Sequence, residues 1–219
     1  MVRAAMATLI CCVLLGSAWA AGPLKEPPPT APKRAVGDFT SSNYAITFKA
    51  PEHAYYCPLP DGWEGSDHGT VLFLALPKAC YGAGYPSSGR GFEPRDVPRI
   101  EVYYGYDLDD SEDNHELPPC HTAGTARLLD KAAPLCRETK DGLAIITAEG
   151  RYVADQPAML SVTLVVSPTD VSRFLPTFKM VLASMHPCRD RWEASDEHGK
   201  IVKSGYIGHG PACPSGQWY

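Results

Sequence analysis

The segment from Lys140 to Met185 constrains the fold more than any other part of the chain. It opens with Asp141-Gly142, a dipeptide typical of a β-hairpin turn. Two segments follow, 143–152 and 159–166, and both are rich in branched apolar residues. In the second, Leu160, Val162, Leu164 and Val166 alternate with other residues and so share one face. This pattern predicts two neighbouring strands with one face buried.

A helix is predicted directly after these strands. Ser167 is a typical N-cap residue, and Pro168 suits the first helical position. The apolar residues beyond it recur at the spacing of one helical face: Val171, Phe174, Leu175, Phe178, Val181, Leu182 and Met185. Pro176 falls inside this pattern, where proline costs about 3 kcal/mol. We therefore expect a kink, or a main helix that begins near Leu175.

The order of elements predicts an α+β fold, because helices do not alternate with strands along the chain. We expect an antiparallel sheet of about six to eight strands with one main C-terminal helix packed on it, stapled by disulfides. The other strand candidates are 44–48, 70–76, 100–106, 126–129 and 134–139. The run 70–76 is apolar throughout, which is typical of a strand covered on both faces. The predicted α+β domain spans 39–187, and a stapled hairpin extension spans 188–219.

The first twenty residues have the pattern of a signal peptide. Arg3 supplies a positive start, an apolar run follows, and Ala18-Trp19-Ala20 fits a cleavage site. Residues 21–38 are rich in proline and predict an extended linker. We expect an exported protein, periplasmic or extracellular, with no transmembrane segment after signal cleavage.

Six cysteines follow the predicted leader, and an even number in an exported chain indicates disulfides. Three bridges allow many connectivities, and spacing alone leaves them open. We predict the sequence-local pairs Cys57–Cys80, Cys120–Cys136 and Cys188–Cys213. The chain has no Cys-x-x-Cys motif, so a structural zinc site is disfavoured.

The charge of the chain argues against nucleic acid as a partner. Its formal net charge is −5, and it has no basic stripe with interleaved aromatic residues. No cofactor-binding motif is recognised, and we expect no cofactor.

Two patterns bear on catalysis and metal binding. Asp67-His68 places an acid beside an imidazole, and Ser87 and Ser88 supply hydroxyl groups in the following loop. A hydrolase that uses these residues is the alternative to a loop in which His68 is simply hydrogen-bonded. In the acidic run 107–116, the carboxylates of Asp107, Asp109 and Asp113 are alternative calcium ligands. The run lacks the glycine and glutamate positions of an EF-hand loop, so we favour a solvated acidic loop.

The long irregular segment 81–98 is the predicted binding surface. Loops of this length in a compact domain are often functional. This one concentrates the residue types that anchor protein interfaces: Tyr81, Tyr85, Arg90, Phe92 and Arg95. The alternative is a loop that packs on its own aromatic side chains.

The order of motifs resembles that of the Mog1/PsbP-like α+β sandwich proteins of the bacterial exported type. The resemblance is carried by the strand 44–51, by Trp63, and by the helix end Phe178-Lys-Met-Val-Leu-Ala-Ser184. Proteins of these families mostly bind, assemble or assist other proteins without an active site. The resemblance therefore implies a non-enzymatic binding or accessory protein of the cell envelope, for example an immunity-type inhibitor of a secreted toxin. A secreted hydrolase that uses His68 with a serine of the 81–98 loop is the alternative.

Overall fold

The computed structural model describes residues 30–41, 43–58, 68–78, 80, 97–106, 121–153, 157–196 and 198–214. The helical residues are a short 3-10 turn, Pro168–Asp170, and the helix α1, Val171–Ser184. The strands, in chain order, are β1 (Lys33–Arg34), β2 (Asp38–Ser41), β3 (Ile46–Lys49), β4 (Tyr55–Tyr56), β5 (Gly69–Phe73), β6 (Arg99–Tyr106), β7 (His121–Leu128), β8 (Lys131–Lys140), β9 (Leu143–Val153), β10 (Pro157–Val166), β11 (His186–Pro187), β12 (Asp190–Ser195) and β13 (Ile201–Ile207).

A large antiparallel sheet forms the frame, with strand order β1-β4-β5-β6-β10-β9-β8-β7. Its central strand β10 pairs with β6 on one side and with β9 on the other. The predicted alternation in β10 is confirmed, because Leu160, Val162, Leu164 and Val166 are all buried. These side chains face a second layer, built from α1 and a three-stranded sheet of order β11-β3-β2.

Helix α1 lies across the large sheet and contacts β7, β10 and β3. Its buried residues are Phe174, Phe178, Val181 and Leu182, as the apolar spacing predicts. The helix begins at Val171 and includes Pro176, so the expected start near Leu175 is wrong. Pro176 is exposed, and the cost of its missing N–H is offset by the apolar face, which stays in phase on both sides of it.

The predicted α+β class is wrong, because the protein is mostly β. Among the described residues, strands account for 58% and helix for 17 residues. The difference arises in strands β7 to β10, which follow one another closely along the chain and run for 8, 10, 11 and 10 residues. Much of β7 and β8 is polar or exposed, so the apolar pattern in the sequence underestimates their length.

The last part of the predicted linker 21–38 is paired with the domain. Thr30 forms a bridge with Cys80, and β1 pairs with β4 at one edge of the large sheet. Ala35 is buried, and its N–H donates to the Ala54 carbonyl at 2.9 Å. Proline suits an edge strand, because its missing backbone N–H is tolerated on the side where no neighbouring strand pairs.

Two of the predicted disulfides are confirmed, Cys57–Cys80 and Cys188–Cys213. Cys136 is also disulfide-bonded. Its predicted partner Cys120 lies outside the described residues, so that pairing stays a prediction. Disulfides are typical of proteins that fold in oxidising compartments, which places this protein outside a reducing cytoplasm. Within the described ranges, no helix has both the length and the apolar character needed to cross a bilayer.

Candidate functional site

His68 is the described member of the predicted catalytic set, and it is held from two sides. Its Nδ1 lies 2.6 Å from the Tyr44 hydroxyl, and its backbone carbonyl accepts from the Tyr104 N–H at 2.7 Å. The Tyr44 ring stacks on Tyr104 at 5.6 Å, and the Tyr152 hydroxyl donates to the Tyr44 carbonyl at 2.9 Å. His68 is therefore tied into an aromatic cluster at the edge of the core.

The position of His68 depends on the glycine that follows it. Gly69 has φ +152° and pairs with Tyr103 of β6. A Cβ atom at Gly69 would lie 2.0 Å from the Val102 carbonyl oxygen, so the two backbones meet more closely than any side chain allows. This close approach fixes His68 against β6.

The environment of His68 differs from that of a catalytic triad. In a triad, the histidine Nδ1 is oriented by a buried carboxylate, which also stabilises the imidazolium that forms. Here a neutral phenol, Tyr44, lies against Nδ1. The other members of the predicted set, Asp67, Ser87 and Ser88, lie outside the described residues. The hydrogen-bonded loop histidine is the interpretation that this geometry supports.

The predicted binding and metal-ligating residues also lie outside the described ranges. They are Tyr81, Tyr85, Arg90, Phe92 and Arg95 for binding, and Asp107, Asp109 and Asp113 for calcium. Both assignments stay predictions. Among the residues that the structure does describe, no group of three His, Cys, Asp or Glu side chains is arranged to hold a metal ion.

The C-terminal hairpin is a prominent exposed feature of the described structure. Strands β12 and β13 form a two-stranded sheet of their own. A two-stranded ribbon is only marginally stable by itself in water. The base of this one is fixed by the Cys188–Cys213 disulfide. It is also fixed by two hydrogen bonds of Arg189, whose N–H donates to Pro211 at 2.7 Å and whose carbonyl accepts from Cys213 at 2.9 Å.

Large apolar side chains are exposed on this hairpin. Tyr206 is 62% exposed and Val202 is 63% exposed, with Ile201 beside them. The Arg189 guanidinium lies over the Tyr206 ring, 4.9 Å from its centroid, and Arg191 is directly opposite Tyr206 across the ribbon. Tyrosine and arginine are enriched among the residues that contribute most to protein–protein affinity.

A groove of about 790 Å³ lies at the base of the hairpin. Its walls come from the end of α1, from β11 and from the turn after β13. Lys49, His186 and His209 line it, together with Ala183, Pro187 and Pro211. Asp130 also lines the groove, and its carboxylate is 2.7 Å from the Arg127 guanidinium.

Sequence reasoning found the hairpin but gave it no function, and it missed the groove. One signal was readable: Gly208-His-Gly-Pro211 places a histidine between glycines, a pattern typical of a tight turn. Gly208 allows the Cys188 carbonyl to approach within 2.1 Å of where a Cβ would lie. The position of this turn beside the end of α1 could not be predicted from the sequence, because that contact depends on the tertiary fold.

Comparison with known proteins adds a weak likeness of fold. No protein-family model matches the chain, and no curated protein is similar to it in sequence. A crystal structure from Bacteroides thetaiotaomicron is similar over 70% of this chain, with a TM-score of 0.37 and 6% sequence identity. The similarity covers 49% of that protein, so the present chain spans about half of its length. The resemblance to Mog1/PsbP-like proteins stays a prediction.

Proposed function

We propose that this protein is a non-enzymatic exported binding protein of the cell envelope, and that its partner protein docks on the C-terminal hairpin. The observation that carries the proposal is a ribbon whose base is fixed covalently and whose Tyr206, Val202 and Ile201 are exposed. Exposing large apolar side chains costs free energy in water, and a partner that covers them recovers it. Within this proposal, an immunity-type inhibitor of a secreted toxin is one specific form.

The fixed base of the hairpin supports this role. A flexible ribbon would lose conformational entropy on binding, and that loss would weaken the complex. The Cys188–Cys213 bridge and the Arg189 hydrogen bonds restrict the ribbon before any partner arrives. The position of Arg189 over Tyr206 also restricts the exposed ring. The surface is therefore partly preorganised.

The surroundings of His68 support the absence of an enzyme activity. In a catalytic triad, a buried carboxylate orients the histidine through Nδ1 and stabilises the imidazolium that forms. The Tyr44 hydroxyl engages Nδ1, and the backbone on both sides of Gly69 is packed against β6. His68 thus contributes to the packing between the two layers.

The proposal is tested by affinity capture from an envelope extract, with the chain after its signal peptide as bait. Tyr206→Ala is expected to lower affinity for the captured protein about thirtyfold, since truncating an interface anchor costs about 2 kcal/mol. Its melting temperature should barely change, because the side chain is exposed.

Leu76→Ala is the matched control, because Leu76 is 61% exposed and lies between β5 and β6, away from the hairpin in sequence and sheet. This variant should capture the same protein as strongly as the unmodified chain. Equal capture by the Tyr206→Ala bait would overturn the hairpin as the docking surface, and so would an equal loss in both variants.

A further inference from the structure

The groove at the base of the hairpin is lined by one lysine and two histidines, in contrast to the acidic chain around it. The whole chain has 20 Lys and Arg residues against 25 Asp and Glu residues. Among the described residues that line it, the groove nevertheless combines Lys49, His186 and His209 with one carboxylate, Asp130. Arg127 already pairs with that carboxylate at 2.7 Å, which reduces its effect on the groove. An anionic ligand therefore meets little repulsion from the lining residues.

The structure positions the three side chains from three separate elements. The backbone N–H of Lys49 donates to the Ser184 hydroxyl at 3.0 Å, which fixes the end of β3 to the end of α1. His186 Nδ1 lies 2.9 Å from the Ser184 carbonyl oxygen. Because a carbonyl can only accept, Nδ1 carries a proton, and the ring is oriented with Nε2 directed away from Ser184. His209 is placed by its two neighbouring glycines, which both have positive φ.

The side chains of Lys49 and His209 are not needed for the described hydrogen bonds at the helix end. Cationic groups near a helix C-terminus commonly stabilise its unpaired carbonyls. Here the Leu182 carbonyl accepts from the Met185 N–H, and the Val181 carbonyl accepts from the Ser184 hydroxyl. The Ser184 carbonyl is met by His186. The Lys49 ammonium and the His209 ring are therefore available to the groove.

We infer that the groove binds an acidic peptide segment of the partner protein, with its carboxylates on the Lys49 ammonium and the His209 N–H. Ala183, Pro187 and Pro211 offer short apolar contacts to the side chains between those carboxylates. The groove residue His209 follows the last residue of β13 by two positions, so the groove lies next to the end of the hairpin. This inference rests on the proposed function, because it names the charge that the partner must carry.

The test uses a fluorescein-labelled peptide in which glutamate alternates with alanine, with its C-terminus amidated. Fluorescence anisotropy with the disulfide-intact chain should detect binding that weakens as salt is added, because exposed charges are screened. The same peptide with glutamine in place of glutamate should bind at least tenfold more weakly. Equal binding of the two peptides would overturn the inference.

Variants of the chain locate the site. Lys49→Met and His209→Ala are each expected to weaken the glutamate peptide about tenfold, since each removes a charge-assisted or N–H donor contact. Lys203→Met removes the same charge from an exposed position on β13 and should leave binding unchanged. An equal loss in Lys203→Met would show nonspecific attraction and would also overturn the inference. Loss of capture by Tyr206→Ala remains measurable in either case, so the two proposals fail separately.

Discussion

Replacing Phe178 with alanine is expected to lower the free energy of unfolding by about 3–5 kcal/mol. Phe178 is completely buried between α1 and the large sheet, in the core cluster that also contains Leu160 and Val162. Truncation removes the transfer free energy of the ring and leaves a cavity that the surrounding strands cannot fill. Urea unfolding of the disulfide-intact protein measures the loss.

Met180→Ala on the same helix is the control for this prediction. Met180 is 49% exposed, so its truncation should change the free energy of unfolding by about 0.5 kcal/mol or less. If the two variants unfold at the same urea concentration, the assignment of the buried helix face is wrong.

Gly69→Ala should destabilise the protein by about 4 kcal/mol. A methyl group there would lie 2.0 Å from the Val102 carbonyl oxygen, so β5 and β6 would have to separate. Forced overpacking and backbone strain each cost about 2 kcal/mol, and both apply at this position. The change should also disturb His68, whose carbonyl accepts from the Tyr104 N–H in the same strand pair.

Gly142→Ala separates the two contributions. Gly142 also has a positive φ, +77°, but no atom lies within 4 Å of the position of an added Cβ. Only the conformational cost of about 1–2 kcal/mol should remain. Thermal unfolding monitored by circular dichroism compares the two variants, and equal losses would refute the close approach at Gly69.

Elements with strong local patterns could be predicted from the sequence. The buried face of α1 follows from apolar residues at helical spacing. Strand β5 is buried at every position, but it ends at Phe73, before the end of the predicted strand 70–76, and Leu76 is exposed. The pairs Cys57–Cys80 and Cys188–Cys213 follow from the loops that they close. For the helix and the strand the signal lies in neighbouring residues, and each of the two bridges joins cysteines that are consecutive along the chain.

Features that depend on distant contacts could not be predicted. Strand β7 has few buried residues and no clear alternation, and it is held in the sheet by pairing with β8. Residues 30–35 look like a linker in sequence, yet the strand β4 and the residue Cys80 give them partners. Because the apolar pattern underestimates the length of such strands, the sequence predicted an α+β class.

The candidate site also depends on features that the local sequence does not reveal. The exposed residues Val202 and Tyr206 are ordinary members of an amphipathic hairpin pattern, and only the absence of a covering element in the described structure makes them notable. The groove joins Lys49 to His209, which are far apart in the chain. No local pattern encodes that proximity.

Hydrogen exchange of the protein with and without its captured partner tests the central claim most directly. We expect slower exchange of backbone amides in β12 and β13 when the partner is bound, since docking on the hairpin excludes water from the ribbon. Strand β7, which is also at a sheet edge and largely exposed, should exchange at the same rate in both samples. Protection that appears elsewhere while 190–207 exchanges unchanged would contradict docking on the hairpin.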